Sequence, residues 1–263
     1  MGFAKYQEDI VSQFNNDRNT QPSVMPAKAP ARNVSVPDKK KEQPTMSRLK
    51  EFTIQNARPL PVILLADVSG SMGDDGKVQA LNHAVREMIE ALRDESDLRA
   101  EIHVAVVTFG GESRVHLPLG PVHGASWTDL GASGNTPMGA AFDLARQMVE
   151  DKAVVPGRAY RPTIVLVSDG QPTGEWKQQL DALLKSERGG KAFRMALAIG
   201  ADADHAVLQE FLADAEARVY RADEARQIRK FFQLVTMSVS ARSRSANPNV
   251  AAPAADPNGG WDL

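Results

Sequence analysis

The chain has 263 residues, 42% of them hydrophobic, with a formal net charge of −2. That is enough for one α/β domain with a real core, and the near-neutral charge gives no reason to expect nucleic acid or an anionic membrane as a partner. It has no cysteine, which excludes disulfides, thiolate metal sites and cysteine nucleophiles and suits a reducing cytosol.

In chain order, residues 1–57 read as a tail and linker. Phe3, Tyr6, Ile10, Val11 and Phe14 fall at helical spacing, so a short amphipathic helix is expected near the start. From Asn19 to Thr45 the text is rich in Pro, Ala, Lys and Asn with no apolar period, as in an extended linker. The run Lys39-Lys40-Lys41 lies in a segment with nine Lys/Arg against five Asp/Glu over residues 1–50 and reads as solvated linker. No apolar leader opens the chain, and no stretch approaches the roughly 20 apolar residues that span a bilayer, so cytoplasmic residence is expected.

At Pro61 the pattern changes. Val62 to Ala66 is a continuous apolar run, the mark of a parallel strand buried on both faces. Val78, Leu81, Val85, Met88, Ile89 and Leu92 then recur every three or four residues and predict a helix. Ile102–Phe109 reads as a second strand, and Val115–Leu119 as its hairpin partner at a sheet edge, where Pro118 is tolerated. A helix is expected over 137–151, a strand over 163–167, a helix over 175–187, a strand over 193–199 and a helix over 204–213. A short strand at 218–221 and a last helix over 223–240 complete the domain, and 243–263 reads as a flexible C-terminal tail. The alternation predicts a doubly wound α/β domain over 58–242: a mainly parallel, Rossmann-like central sheet, one antiparallel edge strand, and helices on both faces.

Ligands of open α/β sheets bind at the carboxyl ends of the strands. After the first strand stands Asp67-Val68-Ser69-Gly70-Ser71; after the strand 163–167 stands Ser168-Asp169-Gly170; before the helix at 137 stands Gly134-Asn135-Thr136-Pro137. These loops offer carboxylates and hydroxyls and no histidine. Such a set suits a hard cation, Mg²⁺ or Mn²⁺ rather than Zn²⁺. An Asp-x-Ser-x-Ser string alone is equally well an ordinary strand-to-helix turn; Thr136 and Asp169 in context favour the metal. Asp74 and Asp75 do not make a calcium loop, because Met72 and Val78 stand where its Gly and Glu belong. Ser133 and Thr173 lie near the site and serve either its periphery or the turns. Trp127 either rims the binding face or packs in the core. His83 and His103 lack ligand-spaced partners and read as structural or surface residues.

Asp67-Val68-Ser69-Gly70-Ser71 matches the D-x-S-x-S signature of von Willebrand factor A (vWA) domains and integrin I domains. Gly134–Pro137 resembles their threonine loop, and Val167–Gly170 their second Asp-Gly motif. The resemblance spans about 58 to 242 and implies a metal-ion-dependent adhesion site (MIDAS). In it Ser69 and Ser71 bind the metal directly, and Thr136 does so directly or through water. Asp67 and Asp169 hold coordinating waters or approach the ion, which is Mg²⁺ or, failing that, Mn²⁺ or Ca²⁺. One position stays open for a partner protein's Asp or Glu. Leu166–Thr173 resembles bacterial TerY-type tellurite-resistance and stress proteins. That likeness implies a stress-response, tellurite-resistance or defence complex in which a kinase or phosphatase of the same operon is a candidate partner.

The expected function is therefore a metal-dependent binding module and not an enzyme. The alternative is a Mg²⁺-dependent phosphatase or hydrolase with Asp67 as nucleophile. Haloacid-dehalogenase-type phosphatases place a second Asp two residues on, however, and here that residue is Ser69. No Walker loop, dinucleotide-binding glycine motif or serine nucleophile elbow is present.

Overall fold

The apolar run after Pro61 becomes the central strand of the molecule. The computed structural model of the chain describes residues 57–95 and 99–250, all within the second of the two units into which the chain divides, Met46–Leu263. The expected amphipathic stretch at the start, the Lys39–Lys41 run and Trp261 lie outside the described residues. The elements are β1 (Arg58–Asp67), a 3-10 segment (Gly70–Gly76), α1 (Lys77–Arg93), β2 (Ala100–Gly110), β3 (Glu112–Pro121), α2 (Met138–Glu150), β4 (Thr163–Ser168), α3 (Lys177–Lys185), β5 (Phe193–Ile199), α4 (His205–Leu212), β6 (Tyr220–Ala222) and α5 (Ala225–Arg244). No helix among them is long and apolar enough to cross a membrane.

The strands form one six-stranded sheet in the order β3-β2-β1-β4-β5-β6, parallel throughout except for the antiparallel edge pair β2–β3. This is the doubly wound α/β architecture expected, with the hairpin strand at the edge. β1 begins earlier than its apolar run. Pro59 and Pro61 fit within it because β4 joins only at Val62, opposite Thr163. Below that point β1 pairs with β2 alone, so an imino nitrogen leaves no ladder bond unmade on its free side, and the Pro59 carbonyl instead accepts the Tyr160 amide at 2.8 Å.

Period-two alternation along the strands divides the core between two faces. Val62, Leu64 and Ala66 of β1 pack with Leu81, Val85 and Ile89 of α1 and with Phe231, Val235 and Val239 of α5. Ile63 and Leu65 face the other way, onto Phe142 of α2, Leu180 of α3 and Phe211 of α4. Full burial of each such side chain contributes about 1.5–3 kcal/mol, so the β1 run, apolar on both faces, anchors both layers.

α5 runs to Arg244, beyond the end expected at 240, and the tail expected from 243 begins inside it. Arg242 is 2% exposed. Its guanidinium lies over the Phe193 ring, 4.1 Å from the centroid, and donates to the Pro248 and Arg161 carbonyls and the Thr163 hydroxyl. A charged residue at the end of an amphipathic period reads as solvent-exposed; here fixed carbonyls replace water. Burial pushes its pKa down to about 10, and the charge of Arg161 adds to that shift.

Candidate metal centre at the β1–β4 switch point

In the strand order the chain's direction of travel reverses between β1 and β4, the crevice where open sheets bind ligands. β1 ends at Asp67 and β4 at Ser168, so both carboxylate-bearing loops leave the sheet at adjacent strand ends. The threonine loop is tied to them through the backbone. Gly70 N–H donates to the Gly134 carbonyl at 2.8 Å, Ser133 N–H to Val68 at 2.7 Å, and Thr173 N–H to Thr136 at 2.9 Å. Gly134 has φ +76, and a Cβ there would stand 2.5 Å from Gly111 Cα, so this crossing of loops requires glycine.

The side chains converge on the same place. Asp67, Ser69, Thr136 and Asp169 are all buried, at 0, 2, 6 and 1% exposure, while Ser71 faces outward. Ser71 Oγ donates to Asp169 Oδ1 at 2.8 Å, and Ser69 Oγ lies 3.1 Å from Ser71 Oγ. Ser71 has one hydroxyl hydrogen and gives it to Asp169, so between the two serines only Ser69 can donate, and both oxygens keep a free lone pair. The hydroxyls of Thr136 and Ser71 flank Gly170: a Cβ at that glycine would lie 3.8 Å from the one and 3.9 Å from the other. The sequence-expected residues are thus brought together, four of them buried and Ser71 at the mouth.

Asp67 is held by its neighbours. Ser69 N–H donates to Oδ1 at 2.8 Å, and the Ser168 hydroxyl donates to Oδ2 at 2.5 Å. Burial pushes the Asp67 carboxyl above the usual aspartate range; these hydrogen bonds oppose that, and the charge of Asp169 adds to it. Thr173 Oγ1 accepts the Thr136 amide at 3.1 Å, so Thr173 serves the turn that presents Thr136. Pro137 caps α2, which starts at Met138, one residue after the expected first helical position. Trp127 packs half-buried against the core, edge-on to His116.

Sequence reasoning missed two participants. Ser168 ends a buried apolar strand, and a hydroxyl at that position was a legible signal. Lys77 gave none: a lysine opening a helix reads as solvated. Its Nζ lies 2.8 Å from Asp169 Oδ2. Burial pushes the Lys77 ammonium down, but the hydrogen bond to Asp169 and the charges of Asp169, Asp74 and Asp75 outweigh it, holding its pKa above the usual lysine value.

A donor set of two carboxylates and three hydroxyls with free lone pairs fits a hard divalent cation. Beside it opens a cleft of about 540 Å³ between Ser71, Asp169, Gly170 and Gln171 on one side and the segment Ala201–His205 on the other.

Residues 62–171 match the family described as von Willebrand factor type A domain. Over 177 residues the chain is 27% identical to the uncharacterized protein YfbK of Escherichia coli (strain K12), a match covering 62% of this chain and 29% of that protein. The chain therefore spans less than a third of the length of this curated relative. Its fold is similar to a von Willebrand factor type A structure from Catenulispora acidiphila, with 19% identity, a TM-score of 0.56, and coverage of 70% of this chain and 43% of that one. It is also similar to proximal thread matrix protein 1 from the mussel byssus, described with a zinc-occupied MIDAS motif. There the identity is 16% and the TM-score 0.52, over 69% of this chain and 48% of that one. At these identities the two structures speak for the fold alone, and the family match is confined to residues 62–171, the stretch that holds the strands and loops of the site.

Proposed function

We propose that this domain is a metal-dependent protein-binding module. Asp67, Ser69, Ser71, Thr136 and Asp169 hold a divalent cation, Mg²⁺ with Mn²⁺ or Ca²⁺ as substitutes, and a partner protein's Asp or Glu completes its shell. The observation that carries the reading is the chain of oxygens from Ser69 through Ser71 to Asp169, at 3.1 and 2.8 Å, at the mouth of the switch-point crevice. When bound, the cation supplies an electrophilic docking point for an outside carboxylate. The chain's own residues do the rest. Ser69 and Ser71 present lone pairs, Asp169 accepts the Ser71 hydroxyl's hydrogen bond and so orients it, and Ser168 with the Ser69 amide aims Asp67.

The phosphatase alternative is disfavoured by the same geometry. A nucleophilic Asp67 must be reached by a substrate's electrophilic atom, but the residue is 0% exposed and each of its oxygens is already oriented by a hydrogen bond inside the protein. We read the domain as non-catalytic and cytoplasmic. The TerY-like run Leu166–Thr173 supports a stress-response, tellurite-resistance or defence complex, with a kinase or phosphatase of the same operon as candidate partner. Affinity purification of the full chain with Mg²⁺ and with chelator tests the reading: partners are expected only with metal and are lost in Asp67→Ala. Identical partners in both conditions would refute it.

A further inference from the structure

Asp169 spends both its oxygens inside the protein. Oδ1 accepts the Ser71 hydroxyl and Oδ2 accepts Lys77 Nζ, each at 2.8 Å. The carboxylate is 0% exposed and the lysine side chain 20%, so the pair is only weakly screened by solvent. Lys77 Nζ also lies 3.4 Å from the Ser71 carbonyl, which holds the ammonium over the loop carrying both serines. Among the described residues, Lys77 is the cation that ion-pairs with a carboxylate of this centre.

We infer that Lys77 tunes the charge of the centre: by neutralising Asp169 it weakens cation binding and leaves a bound cation in need of one more negative ligand. This inference rests on the metal-binding reading above. A divalent ion with two carboxylates is neutral, whereas the same set with a fixed ammonium carries one net positive charge. Lys77 thus makes the open position select an anion. A neutral hydroxyl or amide there would leave that charge uncompensated in a poorly screened site.

Calorimetric titration of the full chain with MnCl₂ tests the inference. Lys77→Met removes charge and hydrogen bond together, and Lys77→Gln removes the charge while keeping a donor toward Asp169. Both should bind Mn²⁺ at least about tenfold tighter than the wild type, since a one-charge change beside a divalent ion is worth that much even at water-like dielectric and more where screening is weak. Lys77→Arg, which keeps the charge, should stay within about twofold. A purely structural salt bridge predicts the reverse, since loosening Asp169 would weaken Mn²⁺ binding. Equal or weaker Mn²⁺ binding by Lys77→Gln overturns the inference and leaves the metal reading standing. Failure of the wild type to bind Mn²⁺ or Mg²⁺ overturns the metal reading, and the inference with it.

Discussion

The Ser168 hydroxyl donates to Asp67 Oδ2 at 2.5 Å, joining the ends of the two adjacent parallel strands β1 and β4. Both residues are fully buried. A hydrogen bond to a buried carboxylate contributes about 1.5–3 kcal/mol. Ser168→Ala should therefore lower unfolding stability by about that much, read as a lower urea midpoint at unchanged slope. A loss below about 0.5 kcal/mol would mean that Asp67 finds another donor.

Gly134 crosses Gly111 with no room for a side chain and with a left-handed backbone. Gly134→Ala should force the threonine loop away from the serine loop. It should lower the melting temperature and weaken Mn²⁺ binding more than tenfold, whereas Gly131→Ala, where a Cβ meets nothing within 4 Å, should do neither. Equal effects of the two variants would remove the loop crossing as the cause.

A ligand that binds only the folded state stabilises it by mass action, by about 2.7 kcal/mol at one hundred times its dissociation constant. Mg²⁺ or Mn²⁺ should accordingly raise the melting temperature of the wild type. The double variant Ser69→Ala/Ser71→Ala should lose that increment, measured against its own melting temperature in chelator, which itself falls because Asp169 loses the Ser71 donor. A metal-induced rise retained in the double variant would mean that the cation sits elsewhere.

Glu150, at the end of α2, accepts the amides of Arg188 and Gly189 at 2.7 and 3.0 Å. Burial pushes its carboxyl up, but these backbone donors, helped by Ser186 and the charge of Arg188, outweigh burial and hold it below the usual 4.5. The folded carboxylate then releases its proton at lower pH than the unfolded one. Its stabilising contribution is full above the unfolded value and fades as pH falls through the folded value. The stability gap between the wild type and Glu150→Gln should be constant near neutrality and close below about pH 4.5. Chemical denaturation across that range measures it, and a gap that widens on acidification would contradict the assignment.

What a reader of the sequence alone could determine was everything written in neighbouring residues. The both-faces apolar run of β1, the helical periods of α1 and α5 and the edge hairpin at Val115–Leu119 all follow from local period. The Asp67–Ser71 string, Thr136 and Asp169 stood out because polar, glycine-bearing loops follow buried strands or precede helices. The bounds of β1 and α5 were less legible, because Pro59 is tolerated only where β4 is absent and Arg242 is buried only because distant carbonyls replace its water. The tertiary structure alone decided that Ser168 holds Asp67 across 101 positions and that Lys77 neutralises Asp169 across 92. A side chain's charge partner is set by which strand ends the topology makes adjacent, and no local pattern around Lys77 carries that information.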